Sequence, residues 1–415
     1  MTPRTVVVGG SIAGCAAAIA ASRAGHRVTV YERRAGTLAD RGFGIAIPPG
    51  LRAELITAGY LDADMPVGSA RERIWVRGPD ATVLWRQPSR VATCNWGLLW
   101  SSLRSRIPDV AYRSGQPVAA VRASAGQGLV TVSDTDVVSD LVIGADGYRS
   151  QVRRALAPAT RPSYAGYCLW RSSIPVSELA DTSYIRKVLA AAYVTVVFPG
   201  GHGILYLIPG GDGGLRLNWA IYAAAPNQEI DTGISPPSGH TPAPLVDHVR
   251  NIVTDFFPGP WRDAVLTTSP ARIATQPVHD LTMTRVATPP FLLAGDAATI
   301  TRPHTASGAV KALQDALALA DALRKAPSLH AAVREYDRVR TEAGNFLVGL
   351  GRDLGRAQVE NTPDWSTMGP SEMDSWTRMT LKTRTHYLYG NVTAELSRRE
   401  TRNAVDHASG HRLPR

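Results

Sequence analysis

The chain has 415 residues, enough for about two or three domains with full cores. Its formal charge of +10, from 45 Lys and Arg against 35 Asp and Glu, comes mostly from arginines scattered along the chain, not gathered in basic blocks with interleaved aromatics; this argues against a nucleic-acid partner and leaves a diffuse positive field that gathers small anions. Cys15, Cys94 and Cys168 lie far apart with no CxxC pair, no apolar run is long enough to span a bilayer, and the first residues run straight into a strand, so neither a disulfide framework, a zinc site nor a membrane partner is expected and the expected location is cytoplasmic.

Thr5 to Glu32, TVVVGGSIAGCAAAIAASRAGHRVTVYE, predicts a nucleotide-binding βαβ unit. A β-branched run from Val6 to Val8 ends at a glycine pair. An alanine-dominated stretch then reaches Gly25, and a second β run, Val28 to Tyr31, stops on an acid. Gly9 permits the tight strand-to-helix turn, Gly14 lets the helix lie close on the sheet, and the helix start, through Ala13, aims free N–H groups at a pyrophosphate. Glu32, roughly 20 residues past the glycines, is placed to accept hydrogen bonds from a ribose. Ser11 stands where GxGxxG has its middle glycine, and its hydroxyl can donate to phosphate instead.

Arg41 to Gly44 predict a turn before the apolar Ile45 to Ile47, and Pro48 to Gly50 break the run before a helical pattern. Arg33, next to the ribose acid, is within reach of an adenosine half, and Arg41 of the other half of a dinucleotide; each is equally readable as a solvated surface charge. Glu72 to Arg86 predict a hairpin, Asn95 to Pro108 a helix, and Val118 to Arg122 with Leu129 to Val132 a β pair. A buried strand, Leu141 to Ile143, then runs into Gly144, Ala145, Asp146 and Gly147, with a helix starting around Ser150 to Arg153. A carboxylate followed by glycine at a strand end can bind a hydroxyl, though Asp-Gly alone is more often a plain turn.

From Tyr164 to Tyr222 several strands follow one another without intervening helices, the mark of an antiparallel sheet. In Leu215 to Tyr222 alternation puts Arg216, Asn218 and Tyr222 on one face and Leu217, Trp219 and Ile221 on the other; the polar face meets either solvent or a pocket. Ile234 to Pro244 predict a loop and Leu245 to Phe257 an amphipathic helix. Phe291 to Leu293 form a strand ending in Ala294, Gly295 and Asp296. A loop with Arg302, Pro303 and His304 leads to Gly308 and a long helix. That order sets an acid against a polyol and aims a helix N-terminus at an electron-accepting group.

Together GGSIAG with Glu32, IGADGYRSQVR and LLAGDAATITRPHTASG resemble the three flavin-contacting motifs of the class A FAD-dependent aromatic hydroxylases, the para-hydroxybenzoate hydroxylase superfamily. YAGYCLWR and TRPHTASGAVKA are most similar to its 2,6-dihydroxypyridine 3-hydroxylase branch. The resemblance covers roughly residues 5 to 345, and the order of three independent motifs is far more specific than any one of them. It implies an α/β protein, α+β taken whole: a discontinuous Rossmann-like FAD-binding domain (1–75, 95–170 and 273–345), an inserted antiparallel-sheet substrate domain (76–94 and 171–272) and a C-terminal helical segment (346–415).

The resemblance further implies that Gly9, Ser11, Ala13, Gly14, Glu32, Arg33, Arg41, Asp146, Asp296, Ala306, Ser307 and Gly308 serve FAD. NADH or NADPH would visit as a transient reductant, O2 would be captured as a flavin C4a-hydroperoxide, and an electron-rich aromatic or nitrogen-heteroaromatic small molecule would be hydroxylated. His304 is the candidate for a proton or substrate contact, with Tyr206 and Asn218 behind it. Ser11 and Thr299 depart from the common pattern of the motifs. A flavin-dependent epoxidase or halogenase of the same fold, or a non-catalytic FAD-binding protein, is the alternative, and a monomer or homodimer is expected.

Overall fold

The computed structural model describes residues 2–40, 43–180, 182–226, 240–382 and 384–389. β1 (Arg4–Val8) leads into α1 (Ile12–Arg23) and β2 (Arg27–Glu32). The branched Val6 to Val8 suit a pleated, packed strand, and the buried alanines of α1 let the helix lie close against it. β3 (Gly44–Ile47), α2 (Pro49–Thr57) and the hairpin of β4 (Gly68–Arg77) and β5 (Thr82–Asn95) follow. α3 (Trp96–Arg104) starts where the Asn95 side chain accepts from Gly97 N–H.

β6 (Tyr112–Ser114) precedes a meander of β7 (Val118–Ser124), β8 (Gln127–Val132) and β9 (Thr135–Ser139). β10 (Leu141–Gly144) turns through Asp146 into α4 (Gln151–Leu156), which Ser150 caps. Next come β11 (Ser163–Pro175), α5 (Ser183–Leu189), β12 (Ala192–Phe198), β13 (Gly201–Pro209), β14 (Leu215–Ala223), α6 (Ala243–Phe256) and α7 (Gly259–Leu266). The chain returns through β15 (Ala274–Asp280), β16 (Ala287–Thr288) and β17 (Phe291–Leu293), then α8 (Ser307–Lys325), α9 (Leu329–Gly355) and α10 (Pro370–Leu381).

Two large sheets result. The first has the order β16-β17-β10-β1-β2-β6 and is parallel from β17 to β6. The second runs β15-β11-β14-β13-β12-β4-β5-β3 and is antiparallel except where β12 meets β4. The α/β architecture with a Rossmann-like unit and a large, mostly antiparallel sheet agrees with the expectation. β3, β4, the whole of β11 and β15 hydrogen-bond in the larger sheet, and α9 runs unbroken through residue 345.

One expectation needs correction. The strands between Tyr164 and Tyr222 are not uninterrupted, because α5 lies between β11 and β12. Its apolar Ile185 and Leu189, one turn apart, bury against the sheet core, and the detour brings β12 back parallel to β4. The expected loop from Ile234 falls largely outside the described residues, as does the C-terminal stretch from 390 on. No described helix is long and apolar enough to cross a membrane.

Candidate functional site

β1, β10 and β17 end side by side, with Val8 paired to Gly144 and Gly144 to Leu293. The turns after Val8, Gly144 and Leu293 therefore leave from one edge of the parallel sheet, where ligands of such sheets bind. Ala145 N–H donates to Val8 C=O and Ala294 N–H to Gly144 C=O, both at 2.8 Å. At Gly9, with φ +98°, a Cβ would lie 2.4 Å from the Ala145 carbonyl oxygen. At Gly14 it would lie 1.8 Å from the Gly9 oxygen, so Gly14 holds the turn from beneath and is not part of the cavity lining.

Arg153 ties the second turn to the third. Buried beneath them, its Nη1 donates to the carbonyls of Asp296 (3.2 Å) and Ala297 (3.1 Å), and its Nη2 to that of Tyr148. The third turn is also pinned from α8: Asp315 accepts from Gly295 N–H at 2.8 Å, from Lys311 Nζ at 3.1 Å and from Arg340 Nε at 2.6 Å. Burial pushes the Asp315 carboxyl up, but Lys311 and Arg340 outweigh that and hold it below the ordinary carboxylate range. The clamping role of these side chains does not show in the sequence, because the backbone they hold lies on another element.

The turns open on a cavity of about 2150 Å³. Gly9, Ser11, Ala13, Glu32, Arg33, Asp146, Asp296, Ala306 and Gly308 all line it. Two helix starts face this space. α1 begins at Ser11 and α8 at Ala306, itself left-handed at φ +48°, and neither has a side-chain cap or an acid in its first turn. Such starts leave N–H groups and partial positive charge for an anion or a polar ring edge.

The acids divide by environment. Glu32 already accepts from Gly10 N–H (2.8 Å) and Arg34 N–H (2.9 Å). Asp146 accepts from Gln151 N–H through Oδ2 at 2.6 Å, whereas its buried Oδ1 has no partner among the described residues. Asp296 is walled in by protein but open to the cavity. Burial pushes both carboxyls above the ordinary range, against the lowering effect of Ser150 and Gln151 on Asp146 and of Lys311 and Arg153 on Asp296. Hydroxyl donors from a ligand would relieve that cost. Ser307 does not face the cavity: it is buried, and its Oγ donates to Thr305 C=O at 2.9 Å. Arg33 is exposed on the rim, and Arg41 lies outside the described residues.

The larger sheet supplies the opposite wall. Pairing of β11, β14 and β13 sets three cross-strand rows: Leu169, Tyr222 and His202; Arg171, Ala220 and Ile204; Ser173, Asn218 and Tyr206. The polar face of β14 therefore meets the cavity, while Leu217, Trp219 and Ile221 are fully buried in the sheet core. Asn218 Oδ1 accepts from Gly44 N–H at 2.6 Å, and the Tyr206 ring fills the space beside Gly44, where a Cβ would lie 2.4 Å from it.

His304 is buried against this wall. Its ring centre is 4.5 Å from that of Tyr222, its Nε2 lies 2.7 Å from Tyr167 Oη, and its Nδ1 has no partner among the described residues. Burial first, then His202 and Arg302, hold its pKa well below the usual histidine value, so the imidazole is neutral. Arg171 stacks on Phe43 at 4.2 Å and has no hydrogen bond or ion pair among the described residues. Arg171 is not among the residues the motifs single out; the signal that marks it is alternation along YCLWRSS, which puts it on the face of Leu169 and Ser173.

Comparison with known proteins places this geometry. Residues 115–346 match the family described as FAD binding domain, and residues 7–42 match an NAD(P)-binding Rossmann-like domain. The 2,6-dihydroxypyridine 3-monooxygenase of Paenarthrobacter nicotinovorans is 30% identical over 358 residues, spanning 83% of this chain and 88% of that protein. The chain belongs to the class A FAD-dependent monooxygenases. The 6-hydroxynicotinate 3-monooxygenase of Pseudomonas fluorescens is 25% identical over 394 residues, covering 88% of this chain and 94% of its own. The solved 2,6-dihydroxypyridine-3-hydroxylase from Arthrobacter nicotinovorans superposes with a TM-score of 0.79 at 26% identity, covering 89% of this chain and 97% of the other. Klebsiella pneumoniae HpxO, solved with FAD and uric acid, shares the fold at a TM-score of 0.73 and 20% identity, over 92% of this chain and 93% of its own.

As a class A monooxygenase the chain is an enzyme that uses FAD and NAD(P)H. Its residues fit the flavin dinucleotide: uncapped N–H groups suit the pyrophosphate and the electron-rich edge of the ring. The unpartnered Asp146 Oδ1 and the cavity-facing Asp296 suit hydroxyls.

Proposed function

We propose that this monooxygenase hydroxylates an electron-rich nitrogen-heteroaromatic ring carrying an ionisable oxygen, of the 2,6-dihydroxypyridine kind. The observation that carries the reading is one continuous cavity that joins the FAD turns to a wall bearing an unpaired guanidinium, Arg171, and a neutral imidazole, His304. The names of the relatives that act on dihydroxypyridine and hydroxynicotinate support it.

The balanced reaction takes a ring C–H, O2, NAD(P)H and a proton to ring C–OH, water and NAD(P)+. FAD, when bound, supplies the two-electron link between NAD(P)H and O2. Gly9, Ser11 and Ala13 would hold its pyrophosphate over the Gly14 packing contact, and Glu32 with Arg33 its adenosine half. Asp146 and Asp296 would hold hydroxyls, and Ala306 and Gly308 would present the α8 start to the ring.

On the substrate side, Arg171 would pair with the ring oxygen in its ionised form, which makes the ring more electron-rich. With Nε2–H donating to Tyr167 Oη, His304 Nδ1 keeps a lone pair that accepts an N–H or O–H of the ring. A histidine held this far below its usual pKa orients that proton and does not itself carry it away as a stable cation. Tyr206 closes the wall beside Gly44, and Asn218 retains its amide N–H as a donor. Dependence on NAD(P)H, a reductant of the cell interior, supports a cytoplasmic location.

The test follows NADH and NADPH oxidation by the purified enzyme with and without 2,6-dihydroxypyridine, phenols and 6-hydroxynicotinate, under isotopically heavy O2. The reading predicts oxidation stimulated by a hydroxypyridine and one heavy oxygen atom in the product. Stimulation by none of the rings, or product without heavy oxygen, would overturn it.

A further inference from the structure

The segment after α10 crosses back over the cavity, outside the 115–346 family match. Arg384 pairs with Asp353 of α9 and anchors the segment there. His386 is buried, with Nε2 3.3 Å from Ser307 Oγ at the first residue of α8. Tyr387 donates its hydroxyl to Ala306 C=O at 3.0 Å and approaches Ala46 C=O of β3 at 3.3 Å. The Leu388 carbonyl faces Gln87 Nε2 of β5 and Tyr193 Oη of β12, each at 3.5 Å, and Tyr389 Oη accepts from Gln358 at 2.8 Å.

Six residues thus bridge the start of the cofactor-facing helix and the far end of the sheet wall. The Leu388 side chain is 7% exposed and lines the cavity in company with Ala46, Val91, Tyr193, Tyr206 and Ala306. These residues form one apolar cluster in the lining of the cavity that Asp146 and Asp296 also line. The strap's polar atoms are spent on the protein and its leucine is turned inward, as expected of a wall that meets a flat ring and keeps water out.

We propose that Arg384–Tyr389 is a specificity strap, with Leu388 the apolar stop against which the substrate ring rests and Tyr387 the positioning residue that fastens the strap to the start of α8. The inference rests on the heteroaromatic hydroxylase reading above. Since one methylene in an apolar pocket changes discrimination about 10- to 200-fold, altering Leu388 must alter which rings fit. Loosening Tyr387 must admit water to the site and divert reducing equivalents from product to hydrogen peroxide.

The experiment compares wild type, Leu388→Ala, Leu388→Phe and Tyr387→Phe. Readouts are FAD affinity from flavin fluorescence, KM and kcat for 2,6-dihydroxypyridine and its C-alkylated homologues, and hydrogen peroxide formed per NAD(P)H. Leu388→Phe should raise KM for 2,6-dihydroxypyridine about tenfold, and Leu388→Ala should shift preference about tenfold toward an alkylated ring. Tyr387→Phe should raise the peroxide fraction several-fold. FAD affinity should stay within about twofold of wild type in all three.

Unchanged KM, ring preference and peroxide fraction would overturn the strap's role. A parallel loss of FAD affinity would overturn it as well, since the strap would then serve the cofactor or the fold. A wild type that takes up FAD yet oxidises NAD(P)H with none of these rings would strike the heteroaromatic reading itself, a result distinct from variants that merely match an active wild type.

Discussion

At the scale of single residues, two side chains on the sheet wall carry the proposed chemistry, and each makes a different prediction. Arg171 is a cation with no hydrogen-bond or ion-pair partner among the described residues, stacked on Phe43 and facing the cavity. Hydrogen bonds to charged groups contribute roughly 1.5–3 kcal/mol, so Arg171→Met should raise KM for an ionised hydroxypyridine about 10- to 100-fold while FAD stays bound; steady-state kinetics beside a flavin absorbance spectrum checks this. His304→Ala should lower product formed per NAD(P)H, with the rate of hydroxylation falling about 100-fold as the ring loses its orientation, and product analysis against NAD(P)H consumption reads it directly. Unchanged coupling would remove His304 from the site. Asp146 and Asp296 stood out in the sequence because strand, glycine and acid are neighbours in the chain. Arg171 and Tyr167 did not, because their meaning depends on which strands pair with β11.

At the scale of elements, α1 and its turn show how tightly the first motif is built. A Cβ at Gly14 would lie 1.8 Å from the backbone oxygen of Gly9, and a backbone atom cannot swing aside as a flexible side chain can. Gly14→Ala should therefore cost about 1–3 kcal/mol of stability and weaken FAD binding, measured by thermal unfolding with and without the cofactor; an unchanged midpoint and affinity would show that the turn yields. This packing role was legible from the glycine spacing alone. The split of β14 into a core face and a polar face was legible too, from alternation. That the polar face meets a cavity was not, since solvent and cavity impose the same pattern. α5 escaped notice because its seven residues are too short to show helical periodicity. The C-terminal segment was readable as a cap on the substrate cavity or a dimer contact, but not which of its residues would form a wall, because nothing local marks HYLY as one.

At the scale of the whole molecule, buried histidines make the fold sensitive to acid. Burial, with Arg73 nearby, lowers His202 to about 3, and burial lowers His386 to about 3. Their folded values lie below the value of about 6.5 expected of an unfolded chain, so below that pH the unfolded state binds more protons. Stability is full above pH 6.5 and is lost as pH falls toward 3. Each of the two histidines should cost about 2 kcal/mol at pH 5 by this linkage. Asp146 and Asp296, raised by burial, act with the opposite sign and soften the loss. Denaturant unfolding at pH 7.5 and pH 5 should show the drop, and His386→Asn should reduce it; equal stability at both pH values would contradict the assignment. The two-sheet plan and the order of the three turns were readable from sequence because each turn is a local signature. Their convergence was not a local property: it follows from the pairing of β1, β10 and β17 and from the Arg153 clamp. That convergence is the central claim, and titration of FAD into cofactor-free protein tests it most directly. Wild type should bind about one FAD per chain, and Gly9→Ala, Asp146→Ala and Asp296→Ala, one from each turn, should each weaken that same binding step about tenfold or more. A chain that takes up no FAD, or a binding step that two of the turns govern and the third leaves untouched, would contradict it.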